Sequence, residues 1–229
     1  MMIELIVAGE PLQLLPDRAL YWPRRSTLIV ADVHLGKGAA FRRAGVAVPS
    51  GSTQSDLGRL DRLLEKTQAQ RLLVLGDLLH ARLSPDEPAI AAIDAFRERH
   101  PALAIEAIRG NHDRSVERLP GLWRIHWITG AWYEPPFVFA HEPAPDERGY
   151  VLAGHLHPVV SLRSRGDSLR LPVFWFGAAS GIGVLPSFGA FTGGYRVTPA
   201  AADQVVAVTP GGLVALQSSP LSESAACMP

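Results

Sequence analysis

The sequence predicts an α/β fold in which two packed sheets carry helices on the outside, and two observations lead there. Between residues 27 and 108, apolar runs and amphipathic stretches alternate in the order strand, helix, strand, helix, strand, the pattern of parallel strands joined by crossover helices. Beyond about residue 124 helical periodicity vanishes and short apolar runs between turn residues take over. One domain over residues 1–216 accommodates both halves, and the Ser-rich, nearly chargeless 217–229 reads as a loose tail.

Taken in order, Ile3–Ala8, Leu12–Leu15, Ala19–Trp22 and Thr27–Ala31 are short apolar runs and read as strands. Ser52–Gln68 changes period: Leu57, Leu60, Leu63 and Leu64 make one stripe and charges fill the rest, so a helix follows. Arg71–Leu75 is a continuous apolar run ending at Gly76-Asp77, as expected of a strand buried on both faces. Ser84-Pro85-Asp86-Glu87 has the makings of a capping box with Pro at the first helical position, and Ile90, Ile93 and Phe96 supply the buried stripe behind it. Leu103–Ile108 is the next strand. Arg124–Thr129, Phe137–Ala140, Tyr150–Ala153, Leu169–Phe176, Tyr195–Thr198, Gln204–Val208 and Leu213–Leu216 are the strands of the second half.

Composition narrows the function. The 229 residues are 47% hydrophobic and carry 22 Lys+Arg against 22 Asp+Glu, which excludes disorder and argues against binding of nucleic acid or membrane by global charge. The single cysteine, Cys227, can neither staple the fold nor build a thiolate metal site. Met1–Leu20 has no basic start, and Glu4, Glu10, Pro11 and Pro16 break its apolar stretches, so no signal peptide is expected. No window approaches the roughly 18 apolar residues of a membrane span. A cytoplasmic protein without membrane partners is the expectation.

Chemistry concentrates at strand ends. Asp32-Val33-His34 follows one apolar run, Asp77 the next, and Asn111-His112-Asp113 the third, while His141 and then His155-Leu156-His157 close two runs of the second half. Ligands of open α/β sheets bind outside the carboxyl ends of strands. The pairs Asp32/His34 and His155/His157 are spaced by two, and on extended backbone such pairs point the same way. Two carboxylates, one amide and four imidazoles without a thiolate suit divalent manganese, iron or zinc. Seven candidates exceed the four ligands of a structural zinc site and fit two metals sharing a carboxylate. Competing motifs fail: His141-Glu142-Pro143 lacks the second His of a zincin helix, Gly36-Lys37-Gly38 is no P-loop, and Ser180 is no nucleophile elbow.

The ordered series D-x-H, G-D, G-N-H-D, a lone His and G-H-x-H, spanning about residues 27 to 158, resembles the calcineurin-like metallophosphoesterases. The resemblance implies a four-layer α-β-β-α sandwich of two mixed sheets. It also implies a binuclear site in which Asp32, His34 and His157 bind one metal, Asn111, His141 and His155 the other, and Asp77 bridges. His112 is then the general acid, oriented by Asp113, for in-line hydrolysis of a phosphate ester. One departure stands out: Gly76-Asp77-Leu78-Leu79-His80-Ala81 puts His80 where the family commonly has an acid, followed by Ala instead of Arg.

Ala31–Lys37, His141-Glu142-Pro143, Gly154–Pro158, Leu171–Phe176 and Leu185–Gly194 are more narrowly similar to the bacterial ligase-associated DNA damage response endonucleases. That similarity implies a manganese-dependent phosphodiesterase acting on DNA, single-stranded by expectation, alongside a ligase and helicase repair set. Lys37, Arg42, Arg43, Arg109 and Arg114 lie near the motifs and are the expected phosphate contacts, and the five tryptophans are potential stacking platforms. Two other readings stand beside it: a phosphatase or pyrophosphohydrolase for a small nucleotide or lipid precursor, and a scaffold without activity, which the intact ligand set disfavours.

Overall fold

Apolar runs long enough to be buried on both faces become the centres of two facing sheets. The computed structural model describes residues 2–83, 88–116, 119–164 and 167–216. In the first sheet β1 (Ile3–Val7), β2 (Glu10–Leu15) and β3 (Ala19–Trp22) run as an antiparallel meander onto β4 (Thr27–Ala31). From β4 the sheet continues in parallel through β5 (Arg71–Leu75), β6 (Ala104–Ile108) and β7 (Ile125–Ile128).

The second sheet is built from β8 (Trp132–Glu134), β9 (Phe137–Ala140), β10 (Tyr150–Ala153), β11 (Pro158–Ser164), β12 (Asp167–Gly177), β13 (Ile182–Val184), β14 (Tyr195–Arg196), β15 (Gln204–Thr209) and β16 (Gly212–Leu216). Its order is β14-β11-β12-β13-β10-β9-β8, and the β15–β16 hairpin joins along β12. Both sheets mix parallel and antiparallel neighbours, as expected.

Alternation along each central strand divides the core in two. Leu28 and Val30 of β4, with Leu72 and Val74 of β5, face Leu57, Leu60, Leu63 and Leu64 of α2 (Ser52–Thr67) and Ile93 and Phe96 of α3 (Pro88–Arg99). Ile29 and Ala31, with Leu73 and Leu75, face the other way onto Phe137, Phe139, Phe174 and Phe176 of the second sheet. Trp22 closes this layer, its ring packed edge-on to that of Phe137 with centroids 5.1 Å apart and its indole N–H donating to Glu10 Oε2 at 2.8 Å. The outer face of the second sheet is covered by smaller clusters around Val160, Val173 and Val205, and around Val138 and Val151. Among the described residues the α-helices flank the first sheet.

Three strands escape the sequence pattern. β8 and β13 have three residues each, too few for a period to register, and β11 opens on Pro158 directly after a site histidine. A further helix, α1 (Lys37–Arg43), follows the first motif where no helical stripe was expected. The Ser84–Glu87 capping box and the 217–229 tail lie outside the described residues. No helix is long and apolar enough to cross a membrane.

Register sets the active edge. Ala31, Leu75 and Ile108 pair side by side at the carboxyl ends of β4, β5 and β6, as do Ala140 and Ala153 of β9 and β10. Five polar turns therefore leave the two sheets at one rim. The layer between the sheets holds that rim together: Phe174→Ala should lower unfolding free energy by about 3–5 kcal/mol without abolishing folding, as measured by a shifted denaturant midpoint at unchanged m-value.

Candidate metal centre

The chain curls abruptly after three of these strands, β4, β5 and β10. Asp32 (φ 53°), His34 (φ 51°), Asp77 (φ 48°), His155 (φ 68°) and His157 (φ 48°) all take the left-handed conformation. Asp and His are several-fold enriched there among non-glycine residues, yet each such residue costs about 1–3 kcal/mol and persists only where its surroundings demand it. The expectation that the spacing-two pairs align on extended backbone is therefore corrected. Asp32 and His34 do converge, but through two left-handed turns, and His155 and His157 part company.

His157 Nε2 lies 3.5 Å from Asp32 Oδ2, and these two residues group with His34. His155 turns instead to His141, with Nδ1 3.0 Å from His141 Nε2, which itself lies 2.9 Å from Asn111 Oδ1. Asp77 stands between the groups: its Oδ2 is 3.7 Å from His34 Nε2 and 3.8 Å from His141 Nε2. All seven expected ligands are thus brought to one rim.

Each carboxylate keeps one further hold on the backbone. The His155 N–H donates to Asp32 at 2.9 Å and the His112 N–H to Asp77 Oδ1 at 2.9 Å. Gly76 makes room for His141 beside them, since at φ 80° it lacks the Cβ that would collide with the His141 ring.

His34 bears most directly on a metal. Its side chain is buried, yet neither ring nitrogen has a hydrogen-bond partner among the described residues. Burial, then the charge of Lys37 and the neighbouring His157, His112 and His80, holds its pKa down at about 2, so the ring is neutral and free to ligate. Orphaned imidazole nitrogens among carboxylate oxygens are a donor set that fits a divalent ion.

The expected pairing of His112 with Asp113 is not what forms. Asp113 is fully buried and accepts the backbone N–H groups of Leu78, Leu79 and Gly110 at 3.2, 3.0 and 3.0 Å, which ties the Asp77 turn to the Asn111 turn. Burial pushes its carboxyl up, and the N–H groups offset part of the rise. His112 is oriented by His80: its Nδ1 lies 3.0 Å from the His80 carbonyl, and the two rings stack with centroids 4.8 Å apart. A carbonyl only accepts, so the proton sits on His112 Nδ1 and leaves Nε2 available. Burial first, then Lys37 and His112, holds His80 at about 4.

Residues 26–179 match the family model of the calcineurin-like phosphoesterases. The chain belongs to this family. Among solved structures, a Pseudomonas putida nuclease, MPE, is 40% identical over 94% of this chain and 100% of its own, with a TM-score of 0.82. A phosphoesterase from E. coli, Yfce, is 16% identical over 83% of this chain and 92% of its own, with a TM-score of 0.42. No curated protein matches. The fold and the enzyme class expected from the motifs are borne out: the chain is a metal-dependent phosphoesterase.

In this phosphoesterase a second segment, unassigned by the motifs, supports the centre. Between Ser187 and Gly194 the chain straps the Asp32 turn, with Phe188 N–H donating to Ala31 O at 2.8 Å, Ser187 Oγ to Asp32 O at 2.9 Å and Gly189 N–H to Asp32 O at 3.1 Å. The Gly193 carbonyl lies 3.2 Å from His157 Nδ1, which turns Nε2 toward Asp32. Gly189 is required because a Cβ there would run into the Val33 carbonyl. In the sequence the run Leu185–Gly194 stands out only as a segment of the narrower family similarity, with no role assigned to its residues.

The expected cations divide. Lys37 faces the centre: burial pulls its pKa down while the charges of Asp77 and Asp32 pull it up. Arg43 is close enough to His80 to depress its pKa. Arg42 instead donates to the Pro49 carbonyl at 3.0 Å. Arg109 is tied to the carbonyls of Asp113 and Val116 and lies over the Trp127 ring at 4.7 Å, whereas Arg114 is exposed beside it on a cleft with Asn111 and His141. Trp22 and Trp123 are buried and cannot meet bases.

Gly76→Ala should push His141 out of position and weaken divalent-metal binding by about 10–100-fold, with the fold kept. Metal content by mass spectrometry beside a circular dichroism spectrum checks it; full metal occupancy would contradict the packing.

Proposed function

We propose that this phosphoesterase is a binuclear phosphodiesterase that cleaves single-stranded DNA, working in the cytoplasm of a bacterium as a repair endonuclease beside a ligase and a helicase. Asp77 carries the reading, since one carboxylate oxygen lies within 4 Å of both His34 and His141 and can serve two ligand groups at once. The choice of nucleic acid over a small phosphate ester is supported by similarity to the Pseudomonas putida nuclease over nearly the whole chain.

In this proposal Asp32, His34 and His157 would hold one divalent ion and Asn111, His141 and His155 the other, with Asp77 placed to serve both groups. Manganese is the proposed metal, and iron or zinc suits the same donors. When bound, such ions lower the pKa of water and stabilise charge on a phosphate. The remaining steps belong to the chain. Lys37, within reach of the charges of Asp77 and Asp32, and Arg43, close enough to His80 to lower its pKa, would orient the diester. His112 keeps its Nδ1 proton on the His80 carbonyl; in the doubly protonated ring, with a second proton taken from solvent on Nε2, it would pass that Nε2 proton to the leaving oxygen and return to the neutral form, a role worth about 10²–10⁴-fold. Asp113 is a positioning residue that holds the Asp77 and Asn111 turns in register.

Purified protein supplied with Mn²⁺ should cleave single-stranded DNA and a dye diester, and both activities should vanish with a chelator or in Asp77→Ala. Strong hydrolysis of a dye monoester with DNA left intact would instead establish a phosphatase or pyrophosphohydrolase. His112→Ala should keep its metal and lose about 10²–10⁴-fold on DNA, with a smaller loss on a diester whose leaving group needs no proton. Equal rates for wild type and variant on DNA would assign the proton to another group.

A further inference from the structure

Beside the metal centre, on the His157 side, a cleft of about 300 Å³ is lined by Arg18, Arg170, Ser187, Thr192 and Gly193, with His157 as the shared wall. Its cations are not those flanking the motifs. Arg18 extends from the turn between β2 and β3 and donates to the Ser187 carbonyl at 3.3 Å, while the nearby Asp56 is occupied by Arg59 at 2.8 Å. Arg170, on β12, donates to the Gly194 carbonyl at 2.6 Å. A guanidinium has five N–H donors. Among the described residues each of these two makes one hydrogen bond and neither pairs with a carboxylate, so two cations with spare donors face one polar cleft next to the reacting centre.

Phe191, which directly precedes the lining residue Thr192 in the chain, is 39% exposed and in the left-handed conformation (φ 57°), a strained arrangement for a bulky side chain. On the opposite side of the centre Arg109 is tied down by carbonyls, so the two sides are not equivalent.

We infer that this cleft holds the phosphate adjoining the scissile one on a single strand, with Arg18 and Arg170 as its anion contacts and Phe191 as the platform for the neighbouring base. Forked donors match phosphate oxygens, and an exposed ring stacks on an unpaired base, so an unpaired polynucleotide fits better than a duplex or a lone monoester. The inference rests on the nuclease reading above.

The test compares a single-stranded oligonucleotide with a dye diester that has no second phosphate, using the Mn²⁺-loaded enzyme. In Arg170→Ala the ratio of kcat/KM on the oligonucleotide to that on the dye should fall by about tenfold, the size of one charged hydrogen bond, mostly through KM. The salt dependence of oligonucleotide binding should lose about 0.7 in log–log slope, one phosphate's worth for a single strand. Phe191→Ala should lower the same ratio with the salt slope unchanged. An unaltered ratio and slope in Arg170→Ala, with wild type cutting DNA, would overturn the inference alone. Equal losses on both substrates would do so too, by marking a structural role. A wild type that hydrolyses the dye and leaves DNA whole would remove the nuclease reading and this inference with it.

Discussion

Asp32 and Asp77 carry their carboxylates to 0% and 2% exposure at the ends of two central strands, where water cannot solvate them. A buried unpaired charge is among the most expensive features a fold can hold. Much of the rim makes sense as its compensation. Backbone N–H groups of His155 and His112 are turned toward the two carboxylates, imidazoles crowd around them, and Lys37 approaches from the start of α1. Five left-handed residues in three turns are the backbone's share of that arrangement, and the packed layer between the sheets keeps them in place.

Much of the architecture could be read before any coordinate. Thr27–Ala31, Arg71–Leu75, Phe137–Ala140 and Tyr150–Ala153 are strands with the expected bounds, because runs buried on both faces leave an unbroken apolar signal. That Asp32, His34, Asp77, Asn111, His141, His155 and His157 gather at one rim could be read as well, since Asp, Asn and His clustered after such runs are hard to explain otherwise. The geometry behind them could not. Spacing two suggested extended backbone, and the left-handed turns that replace it leave no trace in residue type beyond a tolerance for Asp and His.

Roles carried by backbone groups were equally hidden. Asp113 follows His112 in sequence, yet it is spent on three N–H groups, and the atom that orients His112 is a carbonyl of His80. His80, notable in the sequence as a substitute for an acid, thus acts through its main chain and the flat face of its ring. The strap from Ser187 to Gly194 works through carbonyls, amides and the lack of a Cβ, none of which a residue pattern displays.

That strap also fixes an order of events. Its bond from Ser187 to the Asp32 carbonyl spans 155 residues. A chain leaving the ribosome at about 5–20 residues per second exposes the Asp32 turn many seconds before the segment that braces it exists. Partial chains hold the early rim residues without the clamp that orients His157. The bracing of the Asp32 turn is therefore completed late in synthesis, and an incomplete chain presents that turn without it.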